Sequence, residues 1–333
     1  MCERECIQIN GNKCRILESA CPVCMTRAKH CPDEAVKIIN LPQELDEDIT
    51  HGYGENGFRL FRLPSPRESQ IVGILGENGI GKSTAINLLS GSLMPNLGNW
   101  NNHSPDWDEV ISSFPRGELR DYLSLVSEGN VSVAVKPQYI DKLPKIFDGK
   151  VKELLSRVDD RKELETLSSV VGIANILERN LKDLSGGELQ RVALCATLLK
   201  EAEVYFFDEP SSYLDIYERL RMVSIIQKLT DRGKRILVVE HDLAILDVLC
   251  NSLHVIYGER AAYGIFTPPR STRLAINSYL EGYLSEENVR IRTKPIQFLK
   301  GRDRDEELGI EMISWGKMTK SLGSFQLSTG EGI

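Results

Sequence analysis

Short apolar runs alternate with helix-like patterns through the middle of the chain. Five such segments follow one another, at 71–75, 83–93, 204–207, 217–230 and 235–239. Strands separated by helices predict a parallel sheet within an α/β layered fold. Residues 104–181 are more polar and helical, and we expect them to interrupt this core as an inserted lobe.

The pattern changes towards both ends of the chain. A strand-like run at 35–40 is followed by an acidic segment at 43–48, and a charged segment at 301–307 follows a region rich in Pro and Arg. We therefore predict a cysteine-rich domain at 1–42, a nucleotide-binding domain at 43–284 with an insert at about 104–150, and a hinge with the start of a further domain at 285–333.

The composition is that of a globular protein. The 333 residues include 41 basic and 48 acidic side chains, a net charge of −7, and 41% are hydrophobic. No apolar run reaches the roughly 18 residues of a membrane span, and charges at Glu3 and Arg4 stand where a signal peptide needs its apolar stretch. We expect a soluble, cytoplasmic protein with no membrane partner.

The cysteines are concentrated near the N-terminus. Of eight cysteines, six lie in the first 31 residues: Cys2, Cys6, Cys14, Cys21, Cys24 and Cys31. In a cytosolic chain such a cluster indicates metal or iron–sulfur ligation before disulfides. The other two, Cys195 and Cys250, lie in apolar helical runs and are predicted to be core thiols.

A glycine-rich loop follows the first buried run and precedes a helix. Its sequence, GENGIGKS at 76–83, has the spacing of a phosphate-binding loop, in which backbone N–H groups bind the phosphates. Lys82 then neutralises β- and γ-phosphate oxygens and the Ser83 hydroxyl ligates Mg²⁺. The predicted site for ATP and Mg²⁺ includes Asn78, Gly79, Gly81, Lys82, Ser83 and Thr84.

Two carboxylates end the apolar run at 204–207. Asp208 is placed to reach the metal near Ser83, and Glu209 to polarise the attacking water. A second anion-binding corner is predicted at Ser185, Gly186, Gly187 and Glu188, ahead of a long helical pattern.

This ordered series of motifs resembles that of the ATP-binding-cassette ATPases over residues 53–265. The resemblance implies an α/β phosphate-loop NTPase fold with a mixed sheet and a helical lobe, preceded here by a small ferredoxin-like cysteine-rich domain. The resemblance implies that Gln138 senses Mg²⁺ and the γ-phosphate and that His241 contacts the γ-phosphate. It also implies that Asp215 and the Ser185–Glu188 signature line the seam between two nucleotide-binding domains. The residues assigned to catalysis are Glu209, His241 and Lys82.

Several segments are similar in amino-acid sequence to the ABC-E subfamily, the ribosome-recycling ATPases once called RNase L inhibitors. These segments are 53–58, 184–191, 207–215, 238–242 and 263–265. The resemblance implies that Tyr53 and Phe58 sandwich the adenine base. It further implies that the insert around 114–119 is a helix-loop-helix used against the small ribosomal subunit, and that a translation release factor is a partner.

The cysteine pattern departs from that of the subfamily. ABC-E proteins carry two [4Fe–4S] clusters on eight cysteines, whereas Arg27 stands here where a thiolate belongs. A guanidinium cannot ligate iron, and the loss of one ligand weakens a specific cluster. Two clusters, one cluster, zinc with help from His30, or no metal therefore remain open.

The subfamily also has two nucleotide-binding domains in one chain, each ATP lying between the phosphate loop of one and the signature of the other. Here the sequence ends in a stretch at 322–328 that resembles the first strands of a second such domain. We expect an ATPase of ribosome recycling that needs a second domain or a homodimer. The alternatives are a truncated, catalytically silent half that binds ATP and the small subunit, and an ATPase subunit of a transporter.

Overall fold

The computed structural model describes residues 7–10, 13–16, 39–45, 49–100, 105–297, 313–323 and 325–332. The chain divides into two compact units, Met1–Pro295 and Ile296–Ile333. Cys14 lies in a short described strand, whereas Arg27 and the other five N-terminal cysteines lie outside the described residues. The predicted cysteine-rich domain is therefore a prediction that this structure does not test.

The elements of the described residues are short, as is usual for an α/β domain. The strands are β1 (Ile7–Asn10), β2 (Lys13–Ile16), β3 (His51–Gly52), β4 (Arg59–Phe61), β5 (Ile71–Leu75), β6 (Val133–Lys136), β7 (Val204–Asp208), β8 (Arg235–Val239), β9 (Ser252–Glu259), β10 (Tyr263–Phe266), β11 (Arg270–Ser271), β12 (Tyr283–Leu284), β13 (Val289–Arg290), β14 (Met318–Leu322) and β15 (Phe325–Thr329). The α-helices are α1 (Lys82–Leu89), α2 (Trp107–Ser113), α3 (Glu118–Ser127), α4 (Leu143–Ile146), α5 (Val151–Arg157), α6 (Leu164–Val171), α7 (Gly186–Leu199), α8 (Ile216–Thr230), α9 (Leu243–Leu249) and α10 (Thr272–Glu281).

A mixed sheet forms the centre of the larger unit. Its described strands lie in the order β3-β4-β10-β9-β5-β8-β7-β6, with β11 added to β9. The run from β9 to β6 is parallel, whereas β10 is antiparallel to β9 and β3 to β4. Strands β5 and β7 are buried throughout because both faces of this sheet are covered, which also explains their continuous apolar sequence. The predicted α/β fold with a mixed sheet is confirmed.

Helices cover both faces of the sheet. One core contains Ile86 of α1, Val110 of α2 and Leu123 of α3 together with apolar residues of β5, β7 and β8. On the other face a second core contains residues of α7 and α8, including the fully buried Cys195. None of the helices in the described part of the chain has the length and apolar character needed to span a bilayer.

The inserted region is a helix-loop-helix followed by a strand. Helix α2 begins at a capping box in which Asp106 and Glu109 satisfy each other's backbone N–H groups. After α3, the chain enters β6, which pairs in parallel with β7 at the edge of the sheet. The range 104–181 is therefore not a purely helical lobe, because Val133–Lys136 belongs to the main sheet. Sequence analysis omitted this strand since its apolar run is only three residues long and ends in a lysine.

The smaller unit contains an antiparallel hairpin. Strands β14 and β15 pair in register from Met318 opposite Thr329 to Leu322 opposite Phe325. Trp315 and Gly332 extend the pairing with a further bridge.

Candidate nucleotide site

The loop at 76–81 connects β5 to α1 and wraps around the side chain of Lys82. The ammonium donates to the carbonyl oxygens of Gly76 at 2.9 Å and Glu77 at 2.8 Å, and to Asn78 Oδ1 at 3.1 Å. Gly81 has a φ of +99°, and a Cβ there would lie 2.6 Å from Phe58 Cζ, so the turn requires glycine. Burial lowers the pKa of Lys82 to about 8, against the opposing effect of nearby carboxylates.

His241 lies between Lys82 and Glu209. Its Nε2 is 3.2 Å from Lys82 Nζ and 3.4 Å from Glu209 Oε1. The three N–H groups of the ammonium already serve Gly76, Glu77 and Asn78, so Nε2 lies between a cation and a carboxylate. Burial and then the charge of Lys82 lower the pKa of His241, which favours the neutral imidazole.

Ser83 and Asp208 form the pair of oxygen ligands that a magnesium ion would need. Ser83 Oγ donates to Asp208 Oδ2 at 3.2 Å, across the gap between α1 and the end of β7. Asp208 is buried, and burial raises the pKa of its carboxyl while the Ser83 hydrogen bond acts to lower it. A hydroxyl and a carboxylate beside a phosphate loop suit Mg²⁺, which also takes phosphate and water ligands.

The carboxylate of Glu209 is held by two further polar side chains. Gln138 Nε2 donates to Oε1 at 2.8 Å and Ser212 Oγ donates to Oε2 at 3.3 Å. The backbone of Glu209 has a φ of +46°, which a residue with a side chain rarely adopts. The carboxylate lies 3.4 Å from His241 Nε2, and backbone strain of this kind is often found at functional sites.

These groups meet in one open cavity of about 440 Å³, a size typical of small-molecule sites. Its lining contains eleven of the residues selected from the sequence: Tyr53, Phe58, Asn78, Gly79, Gly81, Lys82, Ser83, Thr84, Gln138, Asp208 and Glu209. Tyr139 and Ala261 also line the cavity and were not selected from the sequence. His241 does not line the cavity, but it contacts two residues that do, Lys82 and Glu209.

The aromatic pair lies on one loop at the rim of this cavity. Tyr53 N donates to Phe58 O at 3.0 Å, which closes the loop between the two rings. Tyr53 is 56% exposed, and its hydroxyl lies 3.5 Å from Thr84 Oγ1. The ring of His51 meets that of Tyr53 edge-on, with 4.9 Å between the centroids.

The signature residues are not part of the cavity lining. Ser185 caps α7 through a capping box with Glu188, whose Oε2 accepts from Ser185 N at 2.8 Å. Asp215 similarly caps α8 and accepts from Glu218 N at 2.9 Å. A Cβ at Gly187 would lie 2.9 Å from Tyr213 O, so the glycine allows the signature and the segment before Asp215 to approach closely. These two predicted seam segments lie against each other.

Three buried polar residues that sequence analysis missed bond to the backbone of residues 208–211, directly at the end of β7. Lys136 is fully buried and bonds backbone carbonyls at the end of β7. Gln190 Nε2 donates to Glu209 O and to Pro210 O, both at 2.8 Å. Glu240 Oε1 accepts from Ser211 N at 2.8 Å. In the sequence, each of these three residues is a polar residue within, or directly after, an apolar run, and this position could have identified it as buried.

Comparisons with known proteins agree with the geometry. A family described as ABC transporter matches residues 65–212. The chain is 32% identical over 199 residues to the thiamine import ATP-binding protein ThiQ of Vibrio parahaemolyticus. This alignment covers 60% of this chain and 80% of that protein.

A longer similarity connects the chain to larger proteins. It is 42% identical to ABC transporter E family member 1 of Arabidopsis thaliana, over 98% of this chain and 55% of that protein. An archaeal ribosome recycling factor, aABCE1, solved in complex with the ribosomal stalk protein aP1, has 47% identity and a TM-score of 0.78 over 87% of this chain and 56% of that chain.

ABCE1 from a structure described as ribosome-bound archaeal Pelota and ABCE1 has 46% identity and a TM-score of 0.82, covering 98% of this chain and 55% of that chain. The chain thus spans about half the length of the curated relatives that it matches over most of its own length. The chain belongs to the ATP-binding cassette family, and its similarity along nearly its whole length lies with the E subfamily.

Proposed function

We propose that the chain is one nucleotide-binding cassette of an ATPase that splits post-termination ribosomes into subunits. The observation that supports ATP hydrolysis most directly is the convergence of Lys82, the Ser83–Asp208 pair and the Glu209–Gln138–His241 group on one cavity. These groups match the tasks of phosphoryl transfer, which are binding of the phosphates, binding of a metal and orientation of water.

The residues would divide these tasks as follows. Lys82 and the loop amides neutralise the phosphates, and Tyr53 with Phe58 receives the base. Ser83 Oγ and Asp208 would hold Mg²⁺, which would supply positive charge to the phosphates. Glu209 orients the attacking water, and Gln138 holds its carboxylate in place.

The signature supports a composite site. Ser185 and its neighbours lie outside the cavity of their own chain. A second cassette would therefore supply the signature that completes each ATP-binding site. That cassette is either a second copy of this chain or another domain. ATP can favour the closed pair only through its higher affinity for that state, and hydrolysis at Glu209 would then reopen it.

The proposed partners are the small ribosomal subunit and a translation release factor. The similar archaeal proteins are described as a ribosome recycling factor bound to a stalk protein and as bound to the ribosome with Pelota. Helices α2 and α3 form the helix-loop-helix that we assign to subunit contact. A factor that acts on ribosomes would work in the cytoplasm.

The cysteine-rich segment is proposed to bind one or two [4Fe–4S] clusters in a ferredoxin-like domain. Its six thiolates are enough for one cluster of four cysteine ligands and two short of a second. Iron and acid-labile sulfide should be measured on anaerobically purified protein. Zinc without sulfide, or no metal at all, would contradict the proposal.

A mixing experiment tests the composite ATPase. Lys82→Ala removes the phosphate-binding ammonium and Ser185→Arg blocks the signature, so each variant alone should release little phosphate. A mixture should regain part of the wild-type rate, because one intact phosphate loop then faces one intact signature. If the mixture is as inactive as its components while the wild type is active, the site is not shared between copies.

A second candidate function has one observation in its favour. Because the signature does not line the cavity of its own chain, an isolated copy could bind ATP without turnover, as a silent half. Silence of the wild type at every concentration, with nucleotide still bound, would select this function.

A further inference from the structure

Lys136 is a buried cation that the proposed mechanism does not use. It is the last residue of the edge strand β6 and lies opposite Phe207 of β7 in parallel register. Its side chain is 0% exposed. Burial of an ammonium in a protein core is expensive unless hydrogen bonds and opposite charges compensate for the lost water.

The ammonium donates its hydrogen bonds to the turn formed by Asp208 and Glu209, and the carboxylates of Asp208, Glu240 and Glu209 supply opposite charge nearby. Lys136 Nζ donates to Asp208 O at 2.8 Å and to Glu209 O at 3.1 Å. These are the backbone carbonyls of the two residues whose carboxylates we assign to the metal and to the water. Gln190 donates to the same Glu209 oxygen, so two side chains from different elements hold this peptide group in its strained conformation.

A residue just after the end of β6 also holds the side chain of Glu209. Gln138 follows Lys136 by two residues and donates to Glu209 Oε1 at 2.8 Å. The segment after β6 therefore holds Glu209 at its backbone through Lys136 and at its carboxylate through Gln138. A methionine would fill much of the space of the lysine stem, but it would leave both carbonyls without this donor.

We propose that Lys136 is a positioning residue for phosphoryl transfer, which fixes the Asp208–Glu209 turn so that one carboxylate meets the metal and the other meets the attacking water. This role rests on the proposed ATPase function. Lys136 acts through the backbone of the two acidic residues and does not line the nucleotide cavity.

The test compares Lys136→Met with a matched control, Lys234→Met. Lys234 is also largely buried, and it pairs with Glu201 at 2.7 Å beside the start of β8, away from the cavity. Two experiments are made on each protein. The first measures kcat and KM for ATP, and the second measures the Mg²⁺ concentration that gives half of the metal-dependent gain in affinity for a fluorescent ATP analogue.

Loss of a group that orients metal ligands typically reduces metal affinity or activity by roughly 10- to 100-fold. Lys136→Met should lower kcat by that factor with little change in KM, and should raise the half-saturating Mg²⁺ concentration by roughly 10-fold. Lys234→Met should leave both at wild-type values. Lys136→Gln, which keeps an N–H donor on a shorter stem, should show smaller losses in both, and it serves as the test if the methionine variant does not fold.

The Mg²⁺ titration does not depend on turnover, so it separates the two hypotheses. A wild type that releases no phosphate contradicts the ATPase function, and the titration still decides the role of Lys136. If the folded Lys136 variant has the kcat and Mg²⁺ dependence of the wild type, or if Lys234→Met shows the same losses, the positioning role is wrong.

Discussion

The aromatic rim of the cavity gives a prediction whose size can be derived from the structure. Tyr53→Ala removes a ring that is 56% exposed and lines the nucleotide cavity. His51 makes a T-shaped contact with the ring and Thr84 Oγ1 lies 3.5 Å from its hydroxyl, while more than half of the side chain stays exposed and open to a base. Because the side chain is already more than half exposed, its removal should change the free energy of unfolding by less than about 0.5 kcal/mol.

The loss of affinity follows from stacking. Stacking of a base on an aromatic ring is worth about 1–3 kcal/mol, and each 1.4 kcal/mol is tenfold in Kd, so ATP should bind about 5- to 150-fold more weakly. Inorganic triphosphate has no base, and its affinity should change by less than about twofold because the phosphate loop is untouched.

The assay is competition of ATP and of inorganic triphosphate against a fluorescent nucleotide. Tyr217→Ala is the matched control, since Tyr217 is 81% exposed on α8 and does not line the cavity. Equal weakening of ATP and triphosphate by Tyr53→Ala would show that the ring supports the loop and not the base. Unchanged ATP binding would refute stacking altogether.

Three further predictions concern Gly81 of the phosphate loop, the buried His254 and the loop lysine Lys82. Gly81→Ala should destabilise the protein by about 1–3 kcal/mol more than Gly79→Ala, because both glycines have positive φ but only the Cβ at 81 meets Phe58; equal losses in thermal denaturation would contradict this. Burial lowers the pKa of His254 from 6.5 to about 4, so the unfolded chain binds the proton first and stability is lost as pH falls from about 6.5 to about 4. In urea unfolding the wild type should lose up to about 3 kcal/mol more over that range than His254→Phe, and parallel pH profiles would be the contrary result. Lys82→Ala should abolish nucleotide binding, since the ammonium at the centre of the phosphate loop is lost, and an unchanged Kd for ATP would overturn that assignment.

Local patterns predicted the centre of the fold well. The runs at 71–75 and 235–239 coincide with β5 and β8, because strands buried on both faces read as uninterrupted apolar sequence. The loop between β5 and α1 was also placed correctly, since its chemistry depends on neighbouring residues. Each segment assigned to the nucleotide was recognised by its own local motif, and the fold brings eleven of these residues around one cavity.

Features that depend on distant partners could not be predicted in this way. Strands β3 and β4 are only two and three residues long, and β4 joins the sheet by pairing with β10, which is far away in the chain. Lys136 reads as the polar end of a weak strand until β7 places Asp208 O at 2.8 Å from its ammonium. Glu240 likewise looks like a strand-end acid, although it accepts from the backbone of Ser211.

Phosphate release from ATP across a wide range of protein concentration, with Glu209→Gln as the blank, decides whether this chain hydrolyses ATP. We predict that activity per molecule rises with concentration, because each site needs the signature of a second cassette. The rate should vanish in the variant, which should still bind ATP and retain it. Equal silence of both proteins at every concentration, with ATP bound, would contradict hydrolysis by this chain.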